Sequence, residues 1–498
     1  MIRYQIPPNV KQMKTGNNLS LSISGGGSII VDRPVLGIWQ SADNKNISEI
    51  IDSINIGTPA ERIVALGCLS EAGLLARENQ TNTASPEPVQ HNSRVSIIIV
   101  SFNSQSWLAD CIASIRSQSS QDFEIIIVDN ASSDNTVPWL ENYHPDIKII
   151  KLEAIGSFAH ALNAGVKAAD GAFYLLLNPD VVLQPQALSE MIGIMDTYPE
   201  SAAAASKLLL RSTPAFINGI GNYVGPVSWG TDLALGQLDL GQFDGMKLVP
   251  SACFAAALIS AKAYVDIGPF DEGFPLYYED SEWCYRARIY GYSIHAAPSA
   301  VGSHALGSTA ADARKKRLSP AKIQQVVYGR LRFALKLLSP PYFLYFLCLY
   351  LLEDCTRMCA FLFTGRWDDL KGNIKAWLIF FQTIKDIYSE RKVIQDRRVI
   401  IDKELFQLHK SIPPVLTWGG RPQLTLDIIR YEYLPKITVG QTRRIPEFDL
   451  LADYAPQPQL PTGLAGSFSR MKDIYSAQGL HALIHRISRL FQCYMMRV

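Results

Sequence analysis

Residues 95–103 read VSIIIVSFN, and residues 123–136 read FEIIIVDNASSDNT. Each holds a nearly unbroken apolar run and ends in small polar residues. A short run without polar alternation predicts a strand buried on both faces, as in a parallel sheet covered by helices. Between the two, Leu108, Ile112 and Ile115 recur at helical spacing. A helix is expected from about Thr136, a third strand at 147–152, a helix at 159–169 and a fourth strand at 173–177. This alternation predicts an α/β, Rossmann-like, doubly wound and mostly parallel sheet. Ligands bind such sheets outside the carboxyl ends of the strands. Ser101 and Asn103 follow the first strand, Asp129 and Asn130 the second, and Asn178 and Asp180 the fourth. The polar residues gather where a ligand is expected.

The chain around this core has 498 residues. At about 150 residues per domain that length predicts two to four units. With 48% apolar and 19% charged residues it has ample material for cores, unlike a disordered chain. Its 47 Lys and Arg against 46 Asp and Glu leave a formal charge of +1, which makes nucleic acid a poor partner. The eight cysteines show no C-x-x-C pair and no repeated spacing. That argues against zinc or a disulfide framework and suits a reducing cytoplasm. The opening 18 residues, MIRYQIPPNVKQMKTGNN, lack the apolar core of a signal peptide, so export by that route is not expected. The longest apolar run, 342–352, is stopped by Glu353 and Asp354. It is shorter than the roughly 18–20 residues that span a bilayer.

Residues 1–78 read as a first unit. Alternating runs at 19–23 and 28–31 flank Gly25, Gly26 and Gly27 as a hairpin turn. Helical patterns follow, one with Ile47, Ile50, Ile51 and Ile54, the next with Ile63, Val64, Leu66, Leu69 and Leu74. Residues 79–93, polar and bearing Pro and Ser, read as a linker to the sheet unit, 94–310. RKKR at 314–317 introduces a helical region, 311–391, with apolar segments near 341–352 and 376–381 separated by charged turns. The extension 392–498 is aperiodic from 400 to 470 and ends in a helix at 480–495. There Leu483, Ile487 and Leu490 share a face while Arg486 and Arg489 lie elsewhere. Such a helix can rest in the headgroup region of an anionic leaflet; docking on the protein's own core is the other reading.

The stretch from Arg94 to about Leu335 resembles the family 2 glycosyltransferases with a GT-A fold, and within them the rhamnosyltransferase-like branch. The blocks that carry the resemblance are VSIIIVSFN, IIIVDNASSDNT, ALNAGVKAADGAFYLLLNPDV, IGPFDEGFPLYYEDSEWCYRARIYGYSI and PSAVGSHALGST, in the family's order. In the first unit, GSIIVDRPVLGIWQSADNKNISEIIDSI resembles the PqqD-like winged-helix family, whose members bind peptides or dock onto partner enzymes.

The resemblance implies an inverting hexosyltransferase that moves a sugar from a nucleotide diphosphate, dTDP-rhamnose by branch, to a hydroxyl of a lipid-linked or cell-surface saccharide. It implies a divalent cation, Mn²⁺ or Mg²⁺, and a place in the cytoplasm, peripheral to the membrane. Asp129 would meet the nucleobase, with Ser101, Asn103, Asn163 and Asn178 around the donor. Asp180, in Asn178-Pro179-Asp180, takes the position of the family's Asp-x-Asp motif and would bind the cation, with His304 completing the site. A departing nucleoside diphosphate needs its charge neutralised, and a hard cation on oxygen ligands does that. Asp280 would take the acceptor's proton, with Glu279 beside it. Structural readings stand next to these: a turn with Asp129 or Asp134 capping the following helix, Asp280 as a helix N-cap, Glu282 as first-turn dipole compensation, Asn178-Pro179 as a turn and His304 as a solvated loop residue. Two positions depart from the family pattern, Ile155-Gly156-Ser157-Phe158 where Asn-x-Gly-Phe is common and Gly329 where an Asn often stands. A non-catalytic scaffold acting through the N-terminal module is the alternative function, and intact Asp180 and Asp280 argue against it. A nucleotidyltransferase would carry a Gly-rich basic loop after the first strand, which SFNSQSW is not.

Overall fold

The computed structural model describes residues 2–50 and 65–79 with short gaps, 94–305 with gaps between 212 and 242, 319–410, and the pair 438–439. In the first unit lie β1 (Ile2–Gln5), β2 (Val10–Thr15), β3 (Asn18–Ile23), β4 (Ser28–Val31), α1 (Arg33–Ser41), β5 (Lys45–Asn46) and β6 (Ala76–Asn79). The strands expected at 19–23 and 28–31 pair antiparallel, Leu19 opposite Val31, and β2 extends them. The helix that follows is α1, which the helical patterns did not single out. It forms because Val35, Ile38 and Trp39 are buried together, while Pro34 sits in the first turn, where no backbone donor is missed. The Trp39 indole N–H donates to the Leu74 carbonyl at 2.9 Å. Most of the helical patterns at 47–54 and 63–74, and the linker at 80–93, lie outside the described residues.

The central layer follows as β7 (Val95–Ser101), α2 (Gln105–Arg116), β8 (Phe123–Asp129), α3 (Thr136–Tyr143), β9 (Lys148–Lys151), α4 (Phe158–Lys167), β10 (Phe173–Leu177), β11 (Val181–Leu183), α5 (Ala187–Thr197), β12 (Ser201–Leu210), β13 (Thr213–Gly219), β14 (Asn222–Tyr223), β15 (Thr231–Asp232), β16 (Ala256–Ser260), α6 (Ala261–Ile267), α7 (Glu279–Ile289) and β17 (Ser293–His304). One sheet runs β11-β17-β12-β16-β10-β7-β8-β9, with β13 added beside β12. The expected strands β10, β7, β8 and β9 are parallel. Antiparallel β16 joins them to β12, so the far half is mixed.

Successive residues of β7 and β8 feed two cores. Ile98, Val100, Ile126 and Val128 pack with Leu162 and Val166 of α4. Val95, Ile97, Ile99 and Ile127 pack with Leu108, Ile112 and Ile115 of α2. This two-sided burial is why the strands read as continuous apolar runs. Gly165 lets α4 lie close, since a Cβ there would stand 2.4 Å from Ile98 Cγ2.

Beyond the sheet lie α8 (Pro320–Leu337), α9 (Pro340–Phe363), α10 (Trp367–Asp396), α11 (Asp402–Leu405) and β18 (Thr438–Val439), the last paired with β4. The expected boundary at 391 falls inside α10. The charged turn expected at Glu353 and Asp354 is also corrected, because α9 passes through both unbroken. These carboxylates face inward onto the fully buried Arg330, at 2.7 and 2.5 Å. No described helix is long and apolar enough to cross a membrane. The RKKR run, nearly all of 411–470 and the 480–495 helix lie outside the described residues.

A second buried ionic group ties the sheet layer to these helices. Arg286 of α7 forks onto Glu282 at 2.9 and 3.1 Å. Lys336 of α8 reaches Glu282 at 3.1 Å, Asp271 at 2.5 Å and Glu390 of α10 at 3.0 Å. Arg332 forks onto Asp271 at 2.7 and 2.9 Å. Burial alone would raise the Asp271 carboxyl, but Lys336 and Arg332 outweigh it and hold it well below the usual carboxylate range. Asp271→Ala takes one carboxylate from two buried cations, which keep Glu390 and, for Lys336, Glu282, and should cost about 1.5–3 kcal/mol in urea melts. Because this carboxyl titrates lower folded than unfolded, its contribution is complete above the ordinary carboxylate value. It should be lost as pH falls from there toward the folded value, and the alanine variant should lack that part of the acid limb.

Candidate active site

The carboxyl ends of β7 and β8 sit side by side, with Ser101 opposite Asp129. Asp129 Oδ2 accepts from the Ser132 N–H at 3.0 Å. Its Oδ1 and the Ser101 hydroxyl oxygen are buried without a hydrogen-bond partner among the described residues. Two such atoms at adjacent strand ends suit a polar ligand. Asn103 takes the left-handed conformation, φ 49°. Its Oδ1 accepts from the N–H groups of Ser133 and Asp134 at 2.8 and 3.2 Å, so it shapes the loop after β8. Asp134 Oδ1 accepts from the Thr136 N–H at 3.0 Å, the turn geometry of the structural reading. Asn130 pairs reciprocally with Gly156, N–H to Oδ1 at 2.8 Å and Nδ2 to carbonyl at 3.1 Å. That fixes the loop where the chain departs from the family pattern.

Asp180 lies between β10 and β11, and His304 ends β17, which pairs with β11 so that Val181 stands opposite His304. The strand pairing brings His304 Nε2 to 3.3 Å from Asp180 Oδ1. On its other side His304 Nδ1 meets Asn218 Oδ1 at 2.7 Å. If Nδ1 carries the proton, Nε2 is left as a free donor of its lone pair beside a carboxylate, which suits a divalent cation. Among the described residues no third His, Cys, Asp or Glu completes a cluster with them. Asn178 is partly exposed, and its backbone N–H is anchored to the Ala255 carbonyl at 2.9 Å.

Asp280 and Glu279 occupy the first turn of α7. Asp280 Oδ2 accepts from Asn222 Nδ2 at 2.7 Å, and Oδ1 from the Ser281 N–H at 2.6 Å. Burial raises the Asp280 carboxyl, and these hydrogen bonds only partly oppose it. Glu279 Oε2 is buried without a partner among the described residues. Burial and the neighbouring Asp280 push Glu279 up to about 8. Ahead of the pair, Tyr277 and Tyr278 both take positive φ, 69° and 74°, a strained conformation for aromatic residues. The Tyr278 hydroxyl accepts from the Gly230 N–H at 2.9 Å. Its ring lies on Gly329, where a Cβ would be 2.7 Å from the ring edge. The departure at Gly329 thus makes room for Tyr278.

Asn163 differs from its expected place beside the donor. Its amide donates to the Phe270 carbonyl and Glu272, and accepts from the Tyr264 hydroxyl and the Phe270 N–H, all within 3.1 Å. Every bonding site of the side chain is filled, so it fastens α4 to the 264–272 segment. Glu282 and Arg286 likewise belong to the buried ionic group. Asn218, Asn222 and Asp232 escaped sequence reasoning. One short segment carries both asparagines, the first on His304 and the second on Asp280. Asp232 pairs across the β14–β15 hairpin with Asn222. Its carboxyl is pushed up to about 7 by burial and by Asp280.

Residues 96–264 match the model described as Glycosyl transferase family 2. Within that stretch the chain is similar to family 2 glycosyl transferases. The match includes Ser101, Asn103, Asp129, Asn163, Asn178 and Asp180 and ends before Asp280 and His304. The chain is 29% identical over 201 residues to the low-salt glycan biosynthesis hexosyltransferase Agl10 of Haloferax volcanii, covering 39% of this chain and 61% of that protein. It is 27% identical over 128 residues to the poly-beta-1,6-N-acetyl-D-glucosamine synthase of Staphylococcus epidermidis, covering 25% of this chain and 31% of that one. The likeness spans less than two thirds of either relative. Among solved structures, TarS of S. aureus aligns with 16% identity and a TM-score of 0.40 over 61% of this chain and 52% of that one.

Glu279 gives a test of the site's electrostatics. Its folded value lies above the ordinary 4.5, so folding is favoured by the proton it retains. Wild-type stability should decline as pH rises from about 4.5 to about 8. Denaturant melts of Glu279→Gln across that window should lack this part of the decline.

Proposed function

We propose that the chain is an inverting, metal-dependent hexosyltransferase that moves a sugar from a nucleotide diphosphate donor to a saccharide hydroxyl. The observation that carries the reading is the approach of His304 Nε2 to Asp180, with Asn218 and Asn222 linking that pair to Asp280. The free Asp129 Oδ1 and Ser101 Oγ suit a nucleobase, and Asn178 suits ribose or phosphate. Asp180 and His304 would hold the cation, Mn²⁺ in preference to Mg²⁺ because imidazole is the softer ligand. Bound there, a cation neutralises charge that builds on the departing diphosphate. Asp280 removes the acceptor's proton while the acceptor oxygen bonds to the anomeric carbon and the bond to the diphosphate breaks on the opposite side. One displacement inverts the centre. Burial raises the basicity of Asp280, and Asn222 and the Ser281 N–H fix its orientation.

The rhamnosyltransferase-like resemblance supports dTDP-rhamnose as donor. The names of the relatives, a glycan biosynthesis hexosyltransferase and a poly-beta-1,6-N-acetyl-D-glucosamine synthase, support a lipid-linked or cell-surface saccharide as acceptor. That acceptor class favours a cytoplasmic protein peripheral to the membrane, with the 480–495 helix as one contact. The PqqD-like resemblance of the first unit supports docking on a protein or peptide partner.

Asp180→Ala should abolish nucleotide release from a donor and acceptor mixture, and excess chelator should do the same to the wild type. Full turnover in chelator would contradict the metal reading. Asp280→Asn keeps shape but cannot accept the proton. Transfer should fall by about 10²-fold or more while donor binding by calorimetry stays near wild type. Unchanged transfer would move the base elsewhere, with Glu279 the first candidate.

A further inference from the structure

Helix α9 is built inside out. Its three charged residues, Glu353, Asp354 and Arg357, turn toward Arg330 of α8 and the inner side of α10. Asp354 is 1% exposed and accepts from Asn373 and the Trp377 indole N–H of α10 at 3.2 and 2.9 Å. Every exposed position of α9 is uncharged. They include Leu344, Cys348, Leu351, Leu352, Leu362 and Phe363, a stripe along the 24-residue helix. At 1.5 Å per residue that helix is about 36 Å long. Monomeric proteins in water rarely leave an apolar strip of that extent uncovered. On α10 the exposed Ile374, Leu378 and Phe381 form a second stripe. Exposed Lys371, Lys375, Lys385 and Lys392 outnumber the exposed Asp368, Asp386 and Asp396 of the same helix, and Trp367 and Tyr388 are 57% and 63% exposed toward its two ends.

We infer that the outer face of α9 and α10 docks on an anionic lipid surface, with α9 lying in the plane of the interface. This deepens the membrane reading above and rests on it. Three features select lipid over a protein partner: the lack of any exposed charge on α9, lysines on the adjoining helix, and Trp and Tyr near the ends. Apolar residues enter the acyl boundary, aromatic residues sit at headgroup level and lysines meet the phosphates. The charges of α9, unable to face that environment, are satisfied inward.

Flotation of the full chain with vesicles of equal parts phosphatidylglycerol and phosphatidylcholine tests this. Wild type should float. Leu344, Leu352 and Phe363 are 59%, 60% and 85% exposed, so changing all three to Gln should leave the thermal midpoint unchanged while the bound-to-free ratio falls at least about tenfold. Lys375→Gln with Lys385→Gln should weaken binding to these vesicles by about fivefold per lysine. Wild type left in the soluble fraction would overturn the inference. So would a triple variant that floats normally, or one that turns a dimer into a monomer in sedimentation velocity, since a second copy would then cover the face. Normal flotation of the α9 variant but loss with Leu483→Ser, Ile487→Ser and Leu490→Ser would assign the contact to the terminal helix instead. Flotation requires no turnover, so its outcome is separate from whether the chain transfers sugar.

Discussion

Lys336 stands among three carboxylates, Asp271, Glu282 and Glu390, each supplied by a different part of the chain. Asp271 precedes α7, Glu282 lies within it and Glu390 belongs to α10. One ammonium group therefore locks the helix that carries Glu279 and Asp280 to the helical layer behind it. Buried charges are costly unless each is paired, and here Arg286 and Arg332 complete the pairing. An electrostatic requirement of this kind fixes position more sharply than apolar contact, because a shift of α7 would leave several ions unmatched.

On that fixed support the chain tolerates strain. Tyr277 and Tyr278 in the left-handed region cost on the order of 1–3 kcal/mol each. The seating of Tyr278 on Gly329 and its hydrogen bond from Gly230 offset part of this. The outcome is a sharp turn that starts α7 at two adjacent buried carboxyls. Burial keeps both weakly acidic, repulsion by Asp280 adds to it at Glu279, and Asn222 holds only Asp280. The two groups are thereby made unequal.

The parallel half of the sheet was legible because β7, β8 and β10 are covered on both faces, which leaves a continuous apolar signal. The pairing of Asp180 with His304 rested on resemblance. No local pattern announces that β17 will bring residue 304 beside residue 180. Asn218, Asn222 and Asp232 were invisible because the 211–250 segment lacks periodicity, and Asn, Asp and Gly there read as turn residues. Asn163 misled for the opposite reason: its motif position suggested a ligand, while four hydrogen bonds from three neighbours claim its amide. Glu353 and Asp354 read as a break because hydropathy along a chain does not say which way a charge faces. A buried partner such as Arg330 reverses its meaning.

We propose that the Asp180 and His304 side of the sheet edge holds the nucleotide's diphosphate through a cation. Anomalous diffraction from crystals grown with Mn²⁺ and a nucleoside diphosphate tests it most directly. The expected result is one manganese peak between the Asp180 carboxylate and His304 Nε2, with the nucleobase against Asp129. A nucleotide bound elsewhere, or a metal held without either residue, would overturn this assignment.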